Sequence, residues 1–285
     1  MSNINNKNDK YILGIDIGGS MTKICGFKIE KKELIKPLYI KASDQVSSLY
    51  GAFGKFTSIN NILLGDIKKI QITGVGSSFI SNDLYGIPTE HVAEFMAIGR
   101  GGIYLSNLDS AIVVSMGTGT AVVKADKRDS IYLGGTGVGG GTITGLSKLI
   151  LNMGDIDNVV KLAENGNLNN IDLKIGDITK KDIIPGMPDY LTAANFGKIG
   201  DLTSREDIAL GIFNIVFETI GMISIFAARQ FGVEDIVLTG NLTRISHSEK
   251  IFEALNNMYK INFQIPEYAR FGPVIGAALC CDELV

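Results

Sequence analysis

One local pattern occurs twice in this chain, and it constrains the fold more than any other feature of the sequence. Residues 12–27 read as a strand, a sharp turn at Gly18-Gly19-Ser20 and a second strand, and residues 111–125 repeat this pattern around a turn at 116–120. β-Branched and apolar residues resume after both turns, which predicts β-hairpins, whereas Rossmann and Walker glycine loops lead into a helix. The repetition indicates two related domains that face one another.

Around these hairpins, the apolar pattern predicts alternating strands and helices and hence an α/β fold. Further strands are expected at 34–40, 69–73 and 235–239, and helices at 43–56, within 88–105, and at 142–153, 208–231 and 273–281. Residues 155–190 are polar and read as a surface insertion with short helices. We expect a frayed tail over 1–10, an N-terminal domain over 11–109 and a C-terminal domain over 110–285.

Composition argues against several classes of protein. The 285 residues include two histidines, too few for the usual zinc sites, and three cysteines, an odd count that argues against a disulfide scaffold. The net charge of −3 disfavours a nucleic-acid binder. The apolar stretch 208–231 is interrupted by Glu218 and Arg229, which predicts a buried helix instead of a membrane span. We therefore expect a cytoplasmic protein with neither nucleic acid nor membrane as a partner.

Glycines mark three segments of the chain, at residues 14–20, 117–120 and 238–241. Backbone amides in tight glycine turns form concave nests that bind phosphate oxygens. Two facing hairpin turns can hold the β- and γ-phosphates of a nucleotide between the domains. Asp16, at the end of the first strand, can hold Mg²⁺ through water, because that ion keeps much of its hydration shell. Each turn taken alone is more consistent with a plain hairpin, but all three in this order favour a phosphate site.

The three segments resemble the nucleotide site of the actin, hexokinase and Hsp70-like ATPase superfamily. That resemblance implies two ribonuclease-H-like domains with ATP in the cleft between them. More closely, residues 11–281 resemble the type II pantothenate kinases, in particular their bacterial branch. This closer resemblance rests on Glu94-Phe95-Met96-Ala97, the turn at 117–120, the glycine run 134–142, the segment 189–197 with its Leu-Thr-Ala-Ala-Asn-Phe-Gly sequence, residues 227–229 and the tail 271–278.

The resemblance implies roles for individual residues. Glu94 corresponds to the family's general base, and the chemistry agrees, because a primary alcohol needs a positioned carboxylate to take its proton during phosphoryl transfer. His91, three residues earlier, is the alternative base. Thr118 corresponds to a residue near both nucleotide and substrate, and a helix N-terminus near Thr142 is expected to face the phosphates. The other implied nucleotide contacts are Asp16, Gly18, Gly19, Ser20, Met21, Thr22, Lys23, Ile24, Cys25, Gly140, Gly141, Ile143, Thr144 and Asn241.

One position departs from the family pattern. Members of the family carry an arginine just before the glycine run, and that arginine contacts the substrate and the transferring group; here the position is Tyr132. Tyrosine offers one neutral donor where arginine offers a rigid cationic fork. Arg270 is the first candidate to supply the missing charge, followed by Arg128 in a hairpin tip and Arg100 on the helix of Glu94. We therefore expect Tyr132 and Arg270 to join Thr118 in the substrate site.

Three functions are consistent with these residues. The first is ATP-dependent phosphorylation of the primary hydroxyl of pantothenate, the first step of coenzyme A biosynthesis, with Mg²⁺ as the cofactor. The second is the same chemistry on a related acceptor such as pantetheine, which Tyr132 leaves open. The third is a non-catalytic ATP-binding regulatory module, against which Asp16, Glu94 and Thr118 argue. The resemblance also implies a homodimer built through the apolar helix at 208–231.

Overall fold

The fold is built on two five-stranded sheets, seen in a computed structural model that describes residues 9–19, 21–41, 44–179 and 188–284. The strands are β1 (Tyr11–Ile17), β2 (Met21–Lys28), β3 (Glu33–Lys41), β4 (Ile67–Thr73), β5 (Thr89–His91), β6 (Ser110–Met116), β7 (Thr120–Asp126), β8 (Ser130–Thr136), β9 (Leu173–Lys174), β10 (Thr192–Ala194), β11 (Asp235–Thr239) and β12 (Asn262–Gln264). The helices are α1 (Gln45–Asn60), α2 (Glu94–Ser106), α3 (Gly140–Leu151), α4 (Ile156–Ala163), α5 (Ile175–Ile178), α6 (Arg205–Phe231), α7 (Ser246–Tyr259) and α8 (Gly272–Leu279).

The two sheets have the same topology. In the first, the order is β3-β2-β1-β4-β5, with β1, β2 and β3 antiparallel neighbours and β4 and β5 parallel to β1. In the second, the order β8-β7-β6-β11-β12 combines the same antiparallel and parallel pairings in the same sequence. The repeated hairpin is therefore the start of a repeated five-stranded unit, which confirms the predicted α/β fold of two related halves.

The central strand β1 shows how sequence places the layers. All of its seven residues are buried, because both faces of the strand are covered. Tyr11, Leu13 and Ile15 alternate onto the face that packs with α1, whereas Ile12 points to the opposite face and packs with α8. Asp16 shares the parity of Ile12, so its side chain lies on the face toward the second sheet.

Helices α2 and α8 lie between the two sheets and cross with their backbones in contact. A Cβ atom placed on Gly276 would lie 1.8 Å from the carbonyl oxygen of Ala97, and one on Gly101 would lie 1.9 Å from that of Gly272. α8 packs on β1, β2 and β4, while α2 packs on β6, β7 and β8. Each helix thus packs on the sheet of the other half of the chain.

The longest helix, α6, forms the core behind the second sheet. It begins with a reciprocal cap between Ser204 and Asp207, and ends at Gly232 in the left-handed conformation. By length and composition alone α6 could cross a membrane, but 61% of its most apolar window is buried inside the protein. It contacts α3, α4 and α7, as the prediction of a buried helix requires.

Two predicted segments differ in their bounds from the structure. The glycine run 134–142 is divided, since β8 extends into it as far as Thr136 and α3 begins at Gly140. The predicted tail over 1–10 is too long by two residues: the Lys28 amine lies 2.9 Å from a carboxylate oxygen of the buried Asp9, and Lys10 pairs with Asp66. Residues 1–8 of that tail lie outside the described residues.

Candidate active site

A cleft of about 910 Å³ lies between the sheets, within the size range of small-molecule sites. Four strands point their carboxyl ends into it: Asp16 is the penultimate residue of β1, Gly74 follows β4, Gly117 follows β6 and Gly240 follows β11. Ligands of open α/β sheets bind beyond the carboxyl ends of the strands. The topology therefore brings the three glycine-marked segments of the sequence together at one site.

The first hairpin supplies a buried ion pair. Asp16 and Lys23 are directly opposed across β1 and β2, with the Lys23 amine 3.2 Å from a carboxylate oxygen of Asp16. Both side chains are almost fully buried, and both line the cleft with Gly18, Gly19 and Met21. The Gly18 amide donates to the Met21 carbonyl oxygen at 3.0 Å and closes the turn. The predicted contact Ser20 lies outside the described residues.

The turn after β4 also belongs to the site, although the sequence prediction did not include it. Gly74 has a φ of +85°, and a Cβ atom there would lie 2.6 Å from Oδ1 of Asp16 and 2.7 Å from the carbonyl oxygen of Ile17. Only glycine allows this backbone to pass so close to the carboxylate. Gly74 and Val75 both line the cleft. The signal available in the sequence was a buried strand that ends in Gly74-Val75-Gly76, the same arrangement as at Gly240.

The second hairpin and the start of α3 are joined by hydrogen bonds. The amides of Gly140 and Gly141 donate to the carbonyl oxygens of Gly117 and Thr118, both at 2.9 Å. These two amides are therefore already engaged by the hairpin, so the expected phosphate contact at this helix N-terminus does not come from them. Gly140, Gly141 and Thr144 still line the cleft, together with Thr118.

Asn241 is placed by the turn after β11. Gly240 has a φ of +91°, and a Cβ atom there would lie 2.6 Å from the carbonyl oxygen of Met116, so the two strand ends touch. Asn241 follows directly and lines the cleft. Its side-chain oxygen is buried and, among the described residues, has no hydrogen-bond partner. An acceptor in this state is well suited to a hydroxyl or amino group of a bound ligand.

Glu94, the first residue of α2, also lines the cleft. Glu94 is exposed along the cleft, but the surrounding protein partly desolvates its carboxyl group and so raises its pKa; the nearby charge of Asp16 raises the pKa further, and the charge of Lys23 lowers it. A pKa nearer neutrality makes a carboxylate a better proton acceptor for a hydroxyl group. The alternative base His91 lies in β5 with its Nε2 2.9 Å from the carbonyl oxygen of Ile80, and it is not among the residues that line the cleft.

None of the three arginines predicted to supply positive charge near the acceptor, all of them among the described residues, lines the cleft. Tyr132 lines the cleft, but Arg270 does not: its guanidinium lies 3.7 Å from the ring centre of Tyr39, with Nη2 3.6 Å from the sulfur of Met21. Cation–π attraction to an exposed aromatic ring explains why this arginine turns away. Arg100 and Arg128 are also absent from the lining, which leaves Lys23 as the basic residue of the cleft within the described ranges.

Several of the predicted nucleotide contacts have side chains that do not reach the cleft. Thr22 lies 2.6 Å from Ser48 through its hydroxyl group, and the Thr142 hydroxyl is taken up by its own helix start, near Gly139. Strand periodicity turns Thr22 into the core, while its neighbours Met21 and Lys23 line the cleft; Thr142 is half-buried at the start of α3. The predicted residues buried in hydrophobic clusters are Ile24, Cys25 and Ile143.

The donor set fits a magnesium ion that keeps its water. No group of three or more acidic, histidine or cysteine side chains that could cage a metal occurs in the described ranges. Asp16 is a single buried carboxylate at the edge of the cleft. Mg²⁺ in phosphoryl-transfer sites is commonly bound by one or two carboxylates together with substrate phosphates and water.

Comparison with known proteins gives concordant matches. The Fumble family model matches residues 105–264. A type II pantothenate kinase of Staphylococcus aureus (strain USA300) is 32% identical over 239 residues, covering 80% of this chain and 84% of that protein. An activator of 2-hydroxyisocaproyl-CoA dehydratase from Clostridium difficile, solved with bound ADPNP, superposes with a TM-score of 0.68 at 18% identity, covering 96% of this chain and 95% of that one. A ROK hexokinase from Thermus thermophilus gives 0.54 at 11% identity, with 94% and 97% covered. The structural likenesses confirm the predicted fold class.

Proposed function

We propose, from the premise that this chain belongs to the type II pantothenate kinase family, that it transfers the γ-phosphoryl group of ATP to the primary hydroxyl of pantothenate with Glu94 as the general base. One observation carries the assignment of roles. Glu94, the Asp16–Lys23 pair and both glycine hairpins line one cleft, although they are distant in sequence. A base and a phosphate site in a single cleft are what a hydroxyl kinase requires.

The nucleotide is held by backbone and by few side chains. Gly18 and Gly19 on one side and Gly117 to Gly119 on the other present two tight turns to the phosphates, and backbone in such turns binds anions without steric hindrance. Lys23 supplies the positive charge. The unpartnered oxygen of Asn241 accepts a hydrogen bond from the nucleoside part.

Asp16 would hold Mg²⁺ through water, and the ion would supply charge neutralisation for the phosphates. Glu94 then acts on the acceptor. Its ionised carboxylate accepts the proton of the primary hydroxyl as the oxygen attacks phosphorus, and its raised pKa makes it a stronger base for this step. Thr118 and Tyr132 line the same cleft, which supports a role for both in contacting the acceptor.

A second acceptor is favoured by one observation. Within the described residues the cleft has Lys23 as its basic side chain, and Lys23 is already paired with Asp16. A carboxylate on the acceptor therefore has no unpaired cation to meet, so the neutral relative pantetheine is a candidate substrate. Measuring kcat/KM for pantothenate and pantetheine under identical conditions decides between them.

The central test is ADP release with purified enzyme, ATP and pantothenate. Wild-type protein should release ADP only when pantothenate is added, and Glu94→Gln should lose that release while still binding ATP. Glu90→Gln is a matched control, because Glu90 is an exposed acid four residues earlier that pairs with Lys69 and lies outside the cleft lining. Wild-type enzyme inactive on both acceptors would refute the proposal, and so would a fully active Glu94→Gln variant.

Two further properties are part of the proposal. The enzyme acts in the cytoplasm, and two copies associate through the solvent-facing side of α6. Phe226 supports this interface, since it is 59% exposed on an otherwise well-buried helix, with Met222 and Ile223 partly exposed nearby. Light scattering on wild-type protein should give the mass of a dimer. Phe226→Asp should give that of a monomer, whereas a monomeric wild type would contradict the proposed interface.

A further inference from the structure

Tyr132 and Phe95 form the closest ring pair in the described part of the chain. Their ring centres are 3.8 Å apart and their planes differ by 13°, whereas the other ring pairs lie at 4.9–6.5 Å. Tyr132 belongs to edge strand β8 of the second sheet, and Phe95 is the second residue of α2. The stack therefore joins the second sheet directly to the residue that follows Glu94.

The first turn of α2 depends on this contact. Its N-cap residue, Ala93, makes no side-chain capping bond, and the buried positions of the helix begin only at Ala97. Glu94 and Phe95 are both exposed. An uncapped and exposed first turn is prone to fray. Phe95, through its ring contact with Tyr132, ties this turn to the second sheet.

The residues before Glu94 are fixed on the opposite side. The Val92 amide donates to the Ile72 carbonyl oxygen at 2.8 Å, and the Thr73 hydroxyl donates to the Val92 carbonyl oxygen at 3.0 Å. Both partners belong to β4 of the first sheet. Glu94 is therefore held between a hydrogen-bonded attachment to one sheet and a stacking attachment to the other.

A strand irregularity places Tyr132 for this contact. β8 pairs Tyr132 with Val123 and Gly134 with Val122, which leaves Leu133 without a partner and forms a bulge. Gly134 has a φ of +137°, which side chains rarely tolerate. Bulges re-aim neighbouring side chains beside active sites. Here the bulge lies directly after Tyr132, whose side chain both lines the cleft and meets Phe95.

We infer that Tyr132 is a positioning residue for phosphoryl transfer, which holds the Glu94 carboxylate in place by stacking on Phe95. This inference rests on the proposed function, in which Glu94 is the base. An arginine at this position can also stack on an aromatic ring, but it adds a positive charge. The tyrosine in this chain keeps the stacking surface without that charge.

The test compares steady-state kinetics and melting temperatures of wild type with four variants. Tyr132→Ala and Phe95→Leu each remove the stack from one side, and Tyr132→Phe keeps the ring while it removes the hydroxyl. Tyr104→Ala is the control. Tyr104 lies on α2, as Phe95 does, and its exposed fraction of 42% is similar to the 47% of Tyr132, but its ring contacts Phe27.

Tyr132→Ala and Phe95→Leu should lower kcat for pantothenate about 10- to 100-fold, the scale expected when a catalytic group is misplaced by about 1 Å. The KM for ATP should change little, since neither residue belongs to the glycine turns between β1 and β2 or between β6 and β7. Tyr132→Phe should restore most of kcat. A wild-type kcat in either stack-removing variant would overturn the inference, as would equal losses in Tyr132→Phe or Tyr104→Ala. Inactive wild-type enzyme, or an active Glu94→Gln variant, would instead refute the proposed function.

Discussion

Gly276→Ala should both destabilise the protein and slow the reaction, because Gly276 lies where α8 touches α2. The new Cβ atom would be 1.8 Å from the carbonyl oxygen of Ala97, and side-chain carbons in proteins essentially never come closer than 3.0 Å to such atoms. The two helices must therefore separate locally by at least 1.2 Å, the difference between those two distances. The obstructing atom is backbone, so no rotamer change can relieve the contact.

The size of both effects can be worked from this displacement. Overpacking of a core costs about 1–3 kcal/mol, while the higher helix propensity of alanine returns up to about 1 kcal/mol. Because the clash is with backbone, the overpacking cost lies at the upper end of its range, and the net loss of about 2 kcal/mol lowers the melting temperature by about 4–8 °C for a protein of this size. Ala97 lies one turn beyond Glu94, so the shift is transmitted to the base. A base misplaced by about 1 Å loses about 100-fold in rate.

Differential scanning calorimetry and ADP-release kinetics measure the two effects on one preparation. Gly54→Ala is the matched control: it is also a helical glycine, in α1, but a Cβ atom there has nothing within 4 Å. That variant should gain about 0.4–1 kcal/mol of stability and keep the wild-type kcat. If Gly276→Ala melts and turns over like wild type, the backbone contact between α2 and α8 does not exist as described. Equal destabilisation by Gly276→Ala and Gly54→Ala would show that the loss of stability does not arise from the contact between α2 and α8.

Three other substitutions test the site and its support. Lys23→Met removes the charge that lowers the Glu94 pKa, so the acid limb of the kcat/KM profile should move to higher pH. An unchanged acid limb would show that Lys23 does not influence the titration of the base. Asn241→Ala should raise the KM for ATP about 5- to 10-fold, the loss of about one hydrogen bond, with little change in kcat. Asp172→Ala removes a fully buried carboxylate that accepts bonds from the Phe196 amide and the Asn214 side chain. It also leaves the largely buried Lys174 amine, 3.9 Å away, without its ion-pair partner, so denaturant unfolding should show a loss of about 3–5 kcal/mol.

The hairpins of this protein are predictable because their information is local. In β1 and β2 every residue is paired without interruption, from Tyr11 opposite Lys28 to Ile17 opposite Thr22. The turn and the two-residue period of the side chains therefore fix the whole register. The same holds for β6 and β7, from Ser110–Asp126 to Met116–Thr120. Position 16 must then face position 23, and a carboxylate and an amine at those positions form the pair that lines the cleft.

The orientation of Arg270 shows where sequence reasoning stops. Its place in the chain, next to Phe271 and the final helix, is compatible with a side chain directed into the cleft. The direction is decided instead by Tyr39, 231 residues earlier, whose ring the guanidinium covers, and by Met21. The approach of α8 to α2 is equally non-local, since it depends on glycines in two helices matched across space. Neither relationship leaves a periodic pattern in one segment of the sequence.

The pairing of Asp16 with Lys23 bears on how a nucleotide binds in the proposed reaction. Removing one partner of a buried ion pair costs about 3–5 kcal/mol, because the other charge is left uncompensated. Lys23 can therefore turn to a phosphate only if Asp16 acquires another positive partner in the same event. A magnesium–nucleotide complex would satisfy both groups together, since it would bring a cation for the carboxylate of Asp16 and phosphates for the amine of Lys23. Free nucleotide satisfies only Lys23, so the cross-strand pair favours the metal complex over the bare nucleotide, even though the cleft contains a single basic side chain in its described lining.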